Sequence, residues 1–145
     1  AWMSVSVLSQ YPYTISYFNE LSHDAASRRW ALSDSNIDWG HGLPALRRWC
    51  LRNHVKLIHL SLFGGDPHFR YFPDRENMVD LVAPPWNDEV ARGLVLTPEP
   101  GIWVISVSLL SGQFWEPKYR DYYRAFQQRE PDEVVAGSLL VYRIH

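Results

Sequence analysis

The chain has 145 residues, 46% of them hydrophobic and 21% charged, the length and balance of one globular domain, which excludes a disordered or fibrous chain. A formal net charge of −2 with no long Lys/Arg run excludes the basic field that tracks a phosphate backbone, so no nucleic-acid partner is expected. The single cysteine, Cys50, excludes an internal disulfide, and no apolar stretch reaches the ~18 residues that span a bilayer.

The start, "AWMSVSVLSQYP", has neither an initiator methionine nor a basic segment leading into a long apolar one, and reads as an excised piece of a larger protein rather than a signal peptide. The first predicted strand is short, "WALS" at Trp30 to Ser33, and runs into "SDSNIDWGHGL", Ser33 to Leu43. "LPALRRWCLRN" follows: Pro44 suits a first helical turn, and Leu46, Trp49, Cys50 and Asn53 share one face, which predicts an amphipathic helix lying on a sheet. "VKLIHLSLF", Val55 to Phe63, is almost continuously apolar, as a strand covered on both faces should be.

Residues 74 to 99 are harder to divide. "APPW" breaks regular structure, and "RGLVLTPEPGIWVISV" has the pattern of an antiparallel hairpin closed at Pro98 to Gly101. Ile102 to Leu110 is the next predicted strand, rich in β-branched residues. In "EPKYRDYYRAFQQR", Pro117 marks a helix start, and Tyr119, Tyr122, Tyr123 and Phe126 fall at i, i+3, i+4 and i+7, the spacing of a buried stripe. "SLLVYRI", Ser138 to Ile144, alternates around Arg143 and reads as a strand nearer an edge. Strand, helix and strand in this order predict a single α/β domain over residues 1–145. Its sheet is expected to be mostly parallel but mixed, flanked by helices, with Rossmann-like layering.

In such a sheet ligands bind beyond the carboxyl ends of the strands. That rule gathers three loops: Asp34, Asn36, Asp38, Trp39 and Gly40 after the first strand; Gly64 to His68 with Asp66 after the second; and Ser111, Gln113 and Trp115 after the third. The candidate binding residues are therefore Asp34, Asn36, Asp38, Trp39, Asp66 and Trp115. Tryptophan rings beside amides and carboxylates suit a glycan.

Other chemistries fit less well. A calcium loop opening at Asp34 needs glycine sixth and glutamate twelfth, where Trp39 and Ala45 stand. His41 and His68 lack a recognised zinc spacing. Acid–base chemistry would pair Asp34 or Asp38 with Asp66, a separation that sequence does not give. The same short polar side chains also suit backbone capping and loop bracing. No G-x-S-x-G elbow is present, and Cys50 falls mid-helix on the apolar face, where an inert thiol is expected. No cofactor is expected, and no residue is assigned as catalytic or as a metal ligand.

"YPYTISYFNELS" (Tyr11 to Ser22), "LSDSNIDWGHGLPALRRW" (Leu32 to Trp49), "LSLFGGDP" (Leu60 to Pro67), "PGIWVISVSLLSG" (Pro100 to Gly112) and "GSLLVYRI" (Gly137 to Ile144) occur together and in order. This series resembles the C-terminal soluble region of bacterial membrane glycosyltransferases similar to dolichyl-phosphate-mannose protein mannosyltransferases. His41 and Gly42 stand where that family carries Gln and Asp. The resemblance implies an inner-membrane enzyme that takes sugar from a polyprenyl-phosphate carrier on the extracytoplasmic, periplasmic side. Its catalytic acids are expected in a loop near the amino terminus of the full protein, with the membrane helices, so none carries over to this chain, which would follow the last of those helices. The implied partners are the protein's own transmembrane region and a glycan or polyprenyl-phosphate-linked sugar.

Three functions follow as expectations. The first is a non-catalytic accessory domain of such a glycosyltransferase, binding acceptor or glycan. The second is a stand-alone metal-assisted hydrolase using Asp34, Asp38 and Asp66, with His68 as a further ligand. The third is a purely structural module that docks on the membrane portion.

Overall fold

The computed structural model describes Tyr11 and residues 40–63, 68–72, 79–81, 95–112 and 116–145. The predicted strand at Trp30 to Ser33 lies outside the described residues.

Helix α1, Leu43–Arg52, carries Pro44 in its first turn, where the missing N–H breaks no helical bond. Leu43, Leu46, Trp49 and Cys50 are buried along one side. Its carboxyl end is closed by two backbone bonds, from Val55 N–H to the Cys50 carbonyl at 3.0 Å and from His54 N–H to the Leu51 carbonyl at 3.3 Å. That is a Schellman motif, with His54 at the left-handed position (φ 53°) that glycine usually fills.

The chain then forms strand β1, Ile58–Ser61, helical turn α2, His68–Tyr71, and strand β2, Val79–Leu81. Strand β3, Gly101–Ser106, passes directly into helical turn α3, Val107–Leu110. A 3₁₀ turn at Pro117–Tyr119 and short helix α4, Arg124–Gln127, precede strands β4, Glu133–Val135, and β5, Leu139–Ile144. Ala136, Gly137 and Ser138 link the last two strands; Ala136 and Gly137 both have positive φ, as the central residues of a type I′ turn do.

The five strands run in the order β2-β1-β3-β5-β4. β1 pairs in parallel with β2 and β3, while β5 is antiparallel to both β3 and β4. The fold is therefore α/β with a mixed sheet. With two antiparallel pairings among the four, the described strands do not establish Rossmann-like layering.

Alternation along the strands builds two cores. Ile58 and Leu60 of β1, Val104 of β3 and Leu139 and Val141 of β5 pack with α1 and Phe72 on one face. Trp103 and Ile105 of β3 and Leu140 and Tyr142 of β5 pack on the other face with Tyr119, Tyr122, Tyr123 and Phe126. The predicted aromatic stripe is thus core.

Four expectations are corrected. The hairpin across Pro98 to Gly101 does not form, because both edges of β3 are occupied, by β1 and β5. Residues 107–110 are a helical turn rather than strand; all four are buried, so apolarity alone did not distinguish the two states. The 116–129 segment breaks into a 3₁₀ turn and a short helix. β5 lies inside the sheet, with β4 at the edge. Among the described residues no helix is long and apolar enough to cross a membrane.

Candidate ligand-binding rim

Parallel pairing aligns the carboxyl ends of β1 and β3, with Ser61 beside Ile105. From that level the chain leaves β1 through Leu62 and Phe63, and leaves β3 through α3 to Ser111 and Gly112. Ser106 registers with Leu139, the first residue of β5, so the β4–β5 turn sits at the same end.

The exit of "SDSNIDWGHGL" arrives there too. A Cβ built on Gly42 would lie 2.9 Å from Leu139 Cδ1 and 3.2 Å from the Ala136 Cβ, a contact that leaves no room for a side chain. Leu43 N–H bonds the Gly40 carbonyl at 3.0 Å and Leu46 N–H the Gly42 carbonyl at 2.9 Å, locking this corner onto the start of α1. Gly42 therefore has a packing reason to lack a side chain.

The flanks of all three predicted loops accordingly meet at one end of the sheet. Asp34, Asn36, Asp38, Trp39, Asp66 and Trp115 themselves lie outside the described residues, as do Gln113 and the side chain of His68.

Beside the Ser111–Gly112 flank is an open cleft of about 460 Å³ lined by Ser111, Gly112, Arg120, Asp121 and Gln127. Gln127 shapes it: its Nε2 donates to the Leu110 and Arg120 carbonyls, both at 3.1 Å, tying the end of α3 to the turn after Pro117. Those two bonds commit the amide hydrogens and leave Oε1 as an acceptor. Ser111 Oγ donates to the Ser108 carbonyl at 3.0 Å. Asp121 is 3.8 Å from Arg124 Nε, an exposed pair of little energetic weight. The cleft thus offers a guanidinium, a carboxylate and an amide oxygen within a small area.

Buried polarity gathers at this end as well. Ser61 and Tyr123 share a buried hydroxyl–hydroxyl bond of 2.6 Å, and burial pushes the Tyr123 hydroxyl well above the usual tyrosine range. Among the described residues the buried Ser106, Ser108 and Ser138 hydroxyls find no hydrogen-bond partner, an arrangement that packing alone does not favour.

Other reactive groups are accounted for structurally. Cys50 is fully buried, and burial pushes its thiol up to about 11, so it is protonated and inert at neutral pH, as its mid-helix position predicted. Trp49 Nε1 donates to Glu133 Oε2 at 2.6 Å, and Arg143 Nη2 to Glu133 Oε1 at 2.5 Å. The indole N–H first, then the guanidinium, hold that carboxyl below the usual glutamate range. Among the described residues no group of three or more His, Cys, Asp or Glu side chains is placed to hold a metal ion.

Sequence reasoning missed Arg120, Asp121 and Gln127, which fell on the polar side of an expected continuous helix. The available signal was the pair Arg120–Asp121 set between Tyr119 and Tyr122, two aromatics that both face the core. Compared with protein-family models, curated proteins and solved structures, the chain finds no match.

Proposed function

We propose that this chain is a non-catalytic extracytoplasmic accessory domain of a polyprenyl-phosphate-sugar-dependent membrane glycosyltransferase, and that it holds acceptor or glycan at the carboxyl end of its sheet. One observation carries the reading: an open polar cleft and the flanks of three loops distant in sequence converge at that end. Sugar hydroxyls exchange hydrogen bonds with carboxylates and amide oxygens, and a carrier phosphate pairs with a guanidinium. Asp121, Gln127 and Arg120 supply these groups. Trp39 and Trp115, on the adjoining loops by sequence, would supply the flat apolar faces on which pyranose rings rest. In this reading the transfer chemistry belongs to the transmembrane partner, and the domain works on the periplasmic side of the inner membrane. The motif series that resembles the glycosyltransferase tail supports the same assignment.

Titrating the 145-residue chain separately with oligosaccharides and water-soluble polyprenyl-phosphate analogues, while following tryptophan emission, tests the proposal. A saturable change is expected with at least one class. Arg120→Ala should weaken the phosphate-bearing ligands about tenfold, the effect of losing one charge-assisted hydrogen bond. A flat response to both classes would remove the binding role.

A further inference from the structure

The opposite end of the sheet carries a different surface. α1 runs from the rim toward the amino end of β1, and its last turn and the following connection place Leu51, Arg52, His54, Lys56 and Leu57 at the protein surface. Leu51 is 55% exposed and Leu57 45%, two of the five large apolar side chains that stand out of the described surface. No acidic residue occurs between Gly40 and Phe63. Glu99 is at the same end, but on the connection into β3, where its carbonyl accepts the Trp103 indole N–H. Glu133, whose carboxylate accepts the Trp49 indole N–H, is also engaged by Arg143, and Asp132, just before β4, is engaged by Arg129 and the Arg143 N–H.

We infer that this leucine-and-cation corner is a contact surface for a bilayer carrying anionic lipid headgroups. Three features favour that occupant. Two leucines flanked by cations match an interface with an apolar interior beneath a layer of phosphates. Leu51 and Leu57 are not spaced as anchors along one helix face; they stand on either side of the helix-end turn, so they can enter a soft, laterally continuous surface together. His54 closes that turn in the left-handed region, at a conformational cost glycine would not incur, and this defined turn joins the two segments that carry the leucines. Seated this way, the domain leaves the rim facing water. The inference stands independently of what the rim binds.

Flotation of the 145-residue chain with vesicles of phosphatidylcholine alone, or of phosphatidylcholine mixed with phosphatidylglycerol, tests it. Preferential partitioning to the mixed vesicles is expected, declining as salt is raised. Arg52→Gln with Lys56→Gln should reduce that partitioning roughly 25-fold, about fivefold for each cation removed. Leu51→Ser with Leu57→Ser should reduce it several-fold at unchanged net charge. Arg124→Gln, on the other face of the sheet, should leave it unchanged apart from the general loss of one distant charge. Circular dichroism checks that each variant folds; all five substituted positions lie outside strained backbone and none is in the core. Equal partitioning to neutral and anionic vesicles, full binding by the Arg52/Lys56 variant, or capture by duplex DNA in place of vesicles would each overturn the inference.

Discussion

The Ser61–Tyr123 bond is the contact by which one side chain of the aromatic core recognises the end of β1. At 2.6 Å and fully buried, it joins two hydroxyls across apolar surroundings. Tyr123→Phe should therefore cost about 1–2 kcal/mol, read as a shift in the urea midpoint, because it removes a buried hydroxyl–hydroxyl bond. A double-mutant cycle with Ser61→Ala gives the coupling between the two hydroxyls directly. Glu133 yields a pH-dependent prediction. Its carboxyl is held below the ordinary glutamate value of about 4.3 by Trp49 and Arg143. A depressed acid stabilises the fold at pH above that ordinary value, and the contribution is lost as pH falls through the lower native value. Glu133→Gln should thus destabilise the chain at neutral pH by no more than about 1 kcal/mol, given the partial exposure of the pair. The gap between variant and parent should close on acidification, which urea unfolding at pH 7 and near pH 3 would reveal.

At the level of helices and strands, the sequence was most readable where apolar residues run continuously or keep one period. α1, β1, the first part of β3 and β5 were legible for that reason, and Tyr119, Tyr122, Tyr123 and Phe126 were legible as core. Their i, i+3, i+4, i+7 spacing did not reveal that the segment is a 3₁₀ turn followed by a short helix, since both arrangements bring such residues to one side. β4 was not legible: it is three residues long and opens with Glu133, whose carboxylate is held by Trp49 and Arg143 from other elements. The site was half legible. Arranging the loops at the carboxyl end of a parallel pair follows from topology, whereas the cleft depends on Gln127 stitching α3 to the 3₁₀ turn, a tertiary contact with no sequence signature. Gly42 shows how closely the rim is built onto the hairpin. Gly42→Ala places a methyl against Leu139, which is fully buried, so an overpacking loss of about 1–3 kcal/mol is expected. Thermal unfolding should register it, and unchanged stability would mean that the α1 start and the β4–β5 turn move apart freely.

Across the whole molecule the two ends of the sheet carry different chemistry. The carboxyl end holds the glycine-bounded loop flanks, the buried hydroxyls and the Arg120–Asp121–Gln127 cleft; the amino end presents exposed leucines among cations. A domain organised in this way has a reason to be oriented, with one end toward a surface and the other toward a soluble ligand. The central claim is that the carboxyl end is the ligand site. Backbone amide chemical-shift mapping, with the oligosaccharide or polyprenyl-phosphate analogue added stepwise to isotope-labelled chain, addresses it most directly. Saturable shifts are expected at Gly40 to Gly42, Ser111, Gly112, Arg120, Asp121 and Gln127, with their loss in Arg120→Ala when the ligand carries phosphate. Shifts confined to the Leu51 to Leu57 end, or none at any residue, would contradict it.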